Sequence, residues 1–301
     1  MSGENPAALV DALRRRSRFA APQPTGKRIE ITDSDFAIFE ALHRHGPLPT
    51  HYLFRFSRRR SFNTFQHRLT KLYNGTSAAS YLVRPPQQFA SFHARYQHIV
   101  YDLSDAAEAL LRERGKLSPL VTRTDPFLHR LMSACVGASI ELACSNLQYI
   151  PRAEVLARKS NRMELPLSSR AARGRLVPDD LFGLKWENTV RFFAVEIDRN
   201  TESIARRKPG SITFREKLLC YMDVIRNHVY HEQWGIRNLS VLTVTTNDAH
   251  ARNLEKCLQT LDPTLAHRFY FKTVPGLGPN WRVPPILTGL LEGLTATAGG
   301  G

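Results

Sequence analysis

The sequence predicts a mixed α/β protein: three helices and a hairpin first, then alternating strands and helices. Three observations carry this expectation. Apolar residues recur at helical spacing up to about residue 73, then switch to the shorter period of strands. Turn formers, namely Gly46-Pro47, Asn74-Gly75 and Pro85-Pro86, fall between these segments. The chain has 301 residues, 42% of them hydrophobic, enough for two domains with cores of their own.

Residues 1–28 are rich in Arg, Ala and Pro and are expected to form a disordered basic arm. The first domain is expected over 29–115. Thr32 or Asp33 caps a helix that turns Phe36, Phe39 and Leu42 to one face, and Gly46-Pro47 ends it. Leu48-Pro49-Thr50 reads as a turn, with Thr50 capping a second helix over 51–56. A turn over 57–60 leads to a third helix over 61–73, with Phe65, Leu69 and Leu72 inward and Asn74-Gly75 closing it. Strands over 81–84 and 96–101 flank a loop, and a helix capped by Ser104 follows. Three helices and a hairpin in this order predict a winged helix-turn-helix. After a linker around 115–126, the second domain is expected over 126–294. It reads as a helix over 127–144, a strand over 147–150, a basic insertion, strands over 176–184 and 192–198, and a long helix over 211–230. A strand over 239–245, a helix over 248–261 and a strand over 269–274 complete it, and 295–301 reads as a disordered tail.

The net charge is +15, and its distribution says more than its sum. Residues up to 123 hold 19 basic against 10 acidic side chains, and residues 151–175 hold 7 against 2. Positive charge concentrated in this way suits a polyanion. No apolar stretch reaches the length of a membrane span, and the N-terminal residues lack the apolar centre of a secretory signal, so a cytoplasmic protein is expected. Cys135, Cys144, Cys220 and Cys257 form no C-x-x-C pair, which argues against zinc and for reduced, mostly buried thiols.

In a helix-turn-helix the second helix of the motif enters the major groove. Here that is the helix over 61–73, whose apolar positions leave Asn63, Thr64, Gln66, His67, Arg68 and Lys71 for base edges and phosphates. Arg58, Arg59 and Arg60 precede it, and the loop between the wing strands carries Gln87, Gln88, His93 and Arg95. Double-stranded DNA is the expected partner, and no membrane.

The second domain offers Pro178-Asp179 on one strand and Glu196-Ile197-Asp198 on the next. Strand alternation puts Glu196 and Asp198 on one face, and a hairpin would bring Asp179 to Glu196. Gathered carboxylates call for a hard cation, so Mg²⁺ or Mn²⁺ is the expected cofactor.

The order helix, strands, Pro-Asp, Glu-x-Asp, long helix resembles the PD-(D/E)XK nuclease superfamily. That resemblance implies a nuclease-like α/β domain in which Asp179 and Glu196 bind metal. It also implies a Lys two residues after the Glu that positions water; here that residue is Asp198. Some members carry the Lys on the next helix, which points to Lys217, with Tyr221 one turn on. Glu141, on the helix before the strands, matches an extra acid that many members carry. More of the chain resembles the replication-relaxation family of plasmids and mobile elements. The resemblance rests on the winged helix, the Pro-Asp pair, the run E-I-D-R-N-T-E at 196–202 and the run K-L-L-C-Y at 217–221. It implies a DNA-binding role in plasmid replication, relaxation or mobilisation, with other replication or mobilisation proteins as partners. Two alternatives stay open, a metal-dependent DNA endonuclease guided by the winged helix and a transcriptional regulator.

Overall fold

The structure is a computed structural model that describes residues 20–26, 28–89, 97–117, 126–167, 174–198, 213–275 and 283–295. The chain is mixed α/β and divides into two compact units, Met1–Leu117 and Ser118–Gly301.

In the first unit α1 (Asp33–His45), β1 (Leu48–Pro49), α2 (Thr50–Ser57), α3 (Phe62–Asn74), β2 (Leu82–Val83), β3 (Val100–Leu103) and α4 (Asp105–Glu113) follow one another. The strands form an antiparallel sheet in the order β1-β3-β2. Ile38, Phe39 and Leu42 of α1 are buried with Leu53 of α2 and Phe65, Leu69 and Leu72 of α3. Each such side chain contributes about 1.5–3 kcal/mol relative to an exposed one. Ser61 caps α3 by accepting from the Thr64 N–H at 3.4 Å. Gly75 ends it at φ 68°, where a Cβ would lie 2.1 Å from the Ala79 carbonyl oxygen. No side chain fits there, so the chain turns sharply into β2.

Three details depart from the sequence-based expectation. Leu48-Pro49 is a strand, paired with Tyr101 and Val100, and not a turn. Thr50 is the first residue of α2 and not its cap; its hydroxyl bonds the Ile99 carbonyl at 2.8 Å. The return strand begins at Val100, later than residue 96.

The second unit opens with α5 (Phe127–Ala143), β4 (Gln148–Ile150) and α6 (Arg152–Leu156). A small antiparallel pair, β5 (Leu165–Pro166) with β6 (Arg175–Leu176), precedes β7 (Asp180–Trp186) and β8 (Thr189–Asp198). Then come α7 (Phe214–Arg226), α8 (Val229–Trp234), β9 (Ser240–Thr245), α9 (Asp248–Leu261) and β10 (Phe269–Thr273). The main sheet runs β10-β9-β8-β7-β4. Neighbours β4, β7 and β8 are antiparallel, whereas β9 and β10 run parallel to β8. One face packs Phe192, Ala194 and Val241 against Phe214 and Leu218 of α7 and Leu254 and Leu258 of α9. The other packs Phe193, Val195 and Ile197 against Met132, Val136 and Ile140 of α5. At Gly183 of β7 a Cβ would stand 3.0 Å from the Phe192 ring, so this crossing of β7 and β8 accepts only glycine without rearrangement.

The strand expected over 176–184 is in fact two. Leu176 belongs to β6, and β7 starts at Asp180, after Val177-Pro178-Asp179. The helix expected over 211–230 is broken at His228, which is left-handed at φ 52° and starts α8. Among the described residues no helix is long and apolar enough to cross a membrane. The expectations for the arm at 1–19, the linker at 118–125 and the tail at 296–301 lie outside the described residues.

Candidate functional site

In the first unit Asn63, Thr64, Gln66, His67 and Lys71 all lie exposed on α3, and Arg58 and Arg60 are exposed in the turn before it. Arg58 is left-handed at φ 54°, which turns the chain sharply between α2 and α3. Arg68 and Arg59 are placed differently. Arg68 donates to both carboxylate oxygens of the fully buried Asp35, and also to the Glu30 carbonyl. Arg59 donates through Nε to Ser34 Oγ at 2.9 Å and lies 3.5 Å from Asp35. Burial alone would raise the Asp35 pKa, but hydrogen bonds from Arg68 and Thr32 outweigh it and hold the carboxyl below its ordinary value. Both arginines therefore fasten α3 and its preceding turn to α1. Gln88 also turns inward, exchanging hydrogen bonds with the Val100 carbonyl and N–H, each at 2.9 Å. Gln87 is exposed, and His93 and Arg95 lie outside the described residues.

In the second unit Asp179 sits one residue before β7, its N–H bonded to the Val195 carbonyl at 2.9 Å. Its Oδ2 accepts from the Ile197 N–H at 2.7 Å, and its Oδ1 meets His129 Nε2 at 2.8 Å. Glu196 lies on β8, buried. Lys217 Nζ donates to its Oε2 at 3.1 Å, and the Tyr221 hydroxyl donates to its Oε1 at 2.5 Å. Lys217 and Tyr221 are four residues apart on α7, hence on one side of the helix. The capping box of Thr213 and Glu216 fixes where that helix starts. Asp179, Glu196, Lys217 and Tyr221 thus converge at the end of β8.

The two acids are shifted in opposite directions. Burial pushes the Glu196 carboxyl up to about 7, and the Asp179 charge adds to this against the pull of Lys217 and Tyr221. Burial also opposes ionisation of Asp179, but His129, Lys217 and the Ile197 N–H outweigh it and keep the pKa below the usual carboxylate value. Burial and the Glu196 charge hold the Tyr221 phenol protonated, well above its ordinary pKa.

Asp198 shares the Glu196 face, and its Oδ2 meets His250 Nε2 of α9 at 2.5 Å. Glu141 is not brought in. It lies twelve residues beyond His129 on α5, about 18 Å along a helix of ordinary rise. His129 and His250 escaped the sequence reading. His129 alone carried a usable signal, an ionisable side chain near the start of a mostly apolar helix. Of the basic insertion, Arg152 pairs at 3.0 Å with Asp180, next to Asp179. Arg158 lies over the Phe192 ring, whereas Arg175 pairs with Glu164 in solvent. Arg170 and Arg173 lie outside the described residues.

A small helical unit with a three-stranded sheet, followed by a five-stranded mixed sheet carrying paired acids and a lysine, defines a two-unit mixed α/β protein. The family model described as Replication-relaxation matches residues 39–238, and the chain belongs to that family. Membership points to a role in the replication or relaxation of plasmids or other mobile elements. No curated protein and no solved structure matches the chain.

Proposed function

We propose that the protein binds duplex DNA through the exposed face of α3 and hydrolyses phosphodiester bonds at the Asp179–Glu196 site, acting in plasmid or mobile-element replication or mobilisation. The observation that carries this reading is the convergence of Asp179, Glu196 and Lys217, which a transcriptional regulator would not need. The winged-helix reading of the first unit and the nuclease-like reading of the second both belong to this proposal.

The donor set fits a hard divalent cation. Two carboxylates at a strand end supply oxygens, each with a second lone pair beyond the hydrogen bond it already accepts. Among the described residues no third His, Cys, Asp or Glu completes a metal cluster, so water and a phosphate oxygen would fill the remaining positions. Asp179 and Glu196 would hold Mg²⁺ or Mn²⁺, which supplies Lewis acidity toward water and the phosphoryl group. The Lys217 ammonium reaches the Glu196 carboxylate, and from there would orient the attacking water and offset charge on the phosphate. Tyr221 fixes the Glu196 rotamer from beneath. Arg152, beside Asp180, would hold the backbone against the site.

One observation favours a second reading, in which the domain binds DNA without cutting. Lys217 and Tyr221 already donate one hydrogen bond to each Glu196 oxygen, so both oxygens have a partner without a cation. Incubation with supercoiled plasmid and Mn²⁺ separates the two. Nicking by the parent that disappears in Asp179→Ala, Glu196→Ala and Lys217→Ala supports hydrolysis. DNA binding without nicking supports the second reading, and nicking that survives Asp179→Ala refutes the assignment of the site.

A further inference from the structure

Asp198 stands where the superfamily pattern has a lysine, so the strand carries a second acid at that point. The fold gives this acid to a histidine. Asp198 Oδ2 meets His250 Nε2, and both side chains are buried, at 3% and 8% exposure. His250 lies in the first turn of α9, where its N–H bonds to the capping Asn247 Oδ1 at 2.7 Å. The imidazole is therefore fixed by the helix start and by the carboxylate. With Nε2 engaged, Nδ1 is the ring nitrogen left to exchange a proton, and among the described residues no hydrogen bond occupies it. Such pairing sets the tautomer and orientation of the ring.

The placement fits an in-line displacement. Glu196 and Asp198 are two residues apart on one face of β8, about 7 Å along the strand. Lys217 approaches that face from α7, and His250 approaches from α9, further along the strand. An attacking and a departing oxygen lie on opposite sides of phosphorus. A second feature points to a ligand between these groups. In the β8–β9 register Thr243 is the partner of Glu196 and Thr245 of Asp198. Both threonine hydroxyls are buried without a hydrogen-bond partner among the described residues. Buried polar atoms are ordinarily paired, so two unsatisfied hydroxyls beside two acids fit the oxygens of a substrate or of water.

We propose that His250, oriented by Asp198, donates the proton to the departing sugar oxygen; this rests on the phosphodiesterase reading above. The water oxygen forms a bond to phosphorus, and the bond from phosphorus to the sugar oxygen breaks with its electron pair. That oxygen takes the proton from Nδ1 of the imidazolium. The proton of the attacking water passes to solvent, from which the imidazole is recharged. Asp198 is a positioning residue, acting through His250.

The test uses the full chain and duplexes in which sulfur replaces the departing bridging oxygen at the mapped cleavage position, because a thiolate departs without a proton. His250→Ala is expected to slow cleavage of the ordinary phosphodiester by about 10²–10⁴-fold. The same variant should cut the sulfur substrate within a few-fold of the parent, while Glu196→Ala stays inactive on both. Equal impairment on the two substrates, or none on either, overturns the role of His250 alone. A parent that cuts neither substrate overturns the phosphodiesterase reading and this role with it. Nitrogen NMR of labelled histidine gives a readout apart from cleavage. His250 should carry its hydrogen at Nε2 in the parent and lose that preference in Asp198→Asn. An unchanged tautomer would show that Asp198 does not orient the ring.

Discussion

In the first unit the buried carboxylate of Asp35 meets two guanidinium groups and a threonine, and its pKa is held below the ordinary value. In the second unit the buried carboxylate of Glu196 meets one ammonium and one phenol, lies beside another acid, and has its pKa raised to about 7. Two buried acids, each tied to a helix proposed to touch DNA, are thus stabilised to different degrees. The difference separates structure from chemistry. A fully compensated carboxylate serves as a fastening, whereas an under-compensated one keeps a reason to bind a cation or a proton.

The largest effect is expected from cutting the fastening. Arg68→Ala leaves Asp35 buried with the more distant Arg59 and should destabilise the first unit by about 3 kcal/mol, read from a denaturant midpoint. Glu196→Gln should cost the second unit far less, because the parent carboxyl is already costly to ionise there. A similar loss for both variants would break the comparison.

The pH dependences should have opposite signs. The folded-state pKa of Glu196, about 7, lies above its ordinary value of 4.5, so its contribution to stability is present below about 4.5 and is lost as pH rises through about 7. Trp186, Trp234 and Trp281 all fall in the second unit, so tryptophan fluorescence reports on it. The parent should lose thermal stability relative to Glu196→Gln between pH 5 and pH 8. The Asp35 pKa is lowered, so its contribution holds above the ordinary carboxylate value and is lost as pH falls below it. Asp35→Asn should lack that acid-sensitive loss. Within the proposed mechanism, Mn²⁺ affinity should rise with pH through about 7, as Glu196 ionises.

On the proposed DNA face the effects are smaller. Asn63→Ala or Gln66→Ala should reduce discrimination between sequences by about 1–3 kcal/mol if either side chain reads a base. Lys71→Ala or Arg60→Ala should weaken all duplexes alike and flatten the salt slope by about one unit. Arg59→Ala, by contrast, should lower stability along with binding, because that side chain holds Ser34 and Asp35. The smallest effect is expected from Ser61→Ala, about 1 kcal/mol of α3 stability.

Features set by neighbours in the chain were legible in the sequence. The span of α3 followed from its apolar spacing and Gly75, the shared face of Glu196 and Asp198 from strand alternation, and the approach of Asp179 to Glu196 from pairing the two strands as a hairpin. Lys217 and Tyr221 followed from the resemblance and one turn of helix. Features set by distant partners were not legible. A two-residue strand such as Leu48-Pro49 has no period to detect; it exists because β3 lies beside it. Leu176 and Asp180 read as one strand because their apolar pattern is continuous, yet β5 draws Arg175 and Leu176 away. His129 lies 50 residues from Asp179, and His250 lies 52 residues from Asp198, too far for local pattern to connect them. The roles of Arg68 and Gln88 turned on whether a polar side chain faced water or an internal partner, which composition does not reveal.

Pro49 has a consequence for how the molecule behaves in a crowded solution. Thr50 donates its N–H to Ile99, so by antiparallel alternation the Pro49 nitrogen turns away from β3 toward the open edge of the sheet. An edge with its hydrogen-bonding groups exposed would invite a strand from another molecule, but a proline nitrogen has no hydrogen to offer. The strand is also only two residues long. This edge is thereby self-limiting, and a nascent or concentrated chain is protected there against the strand-to-strand growth that seeds aggregates.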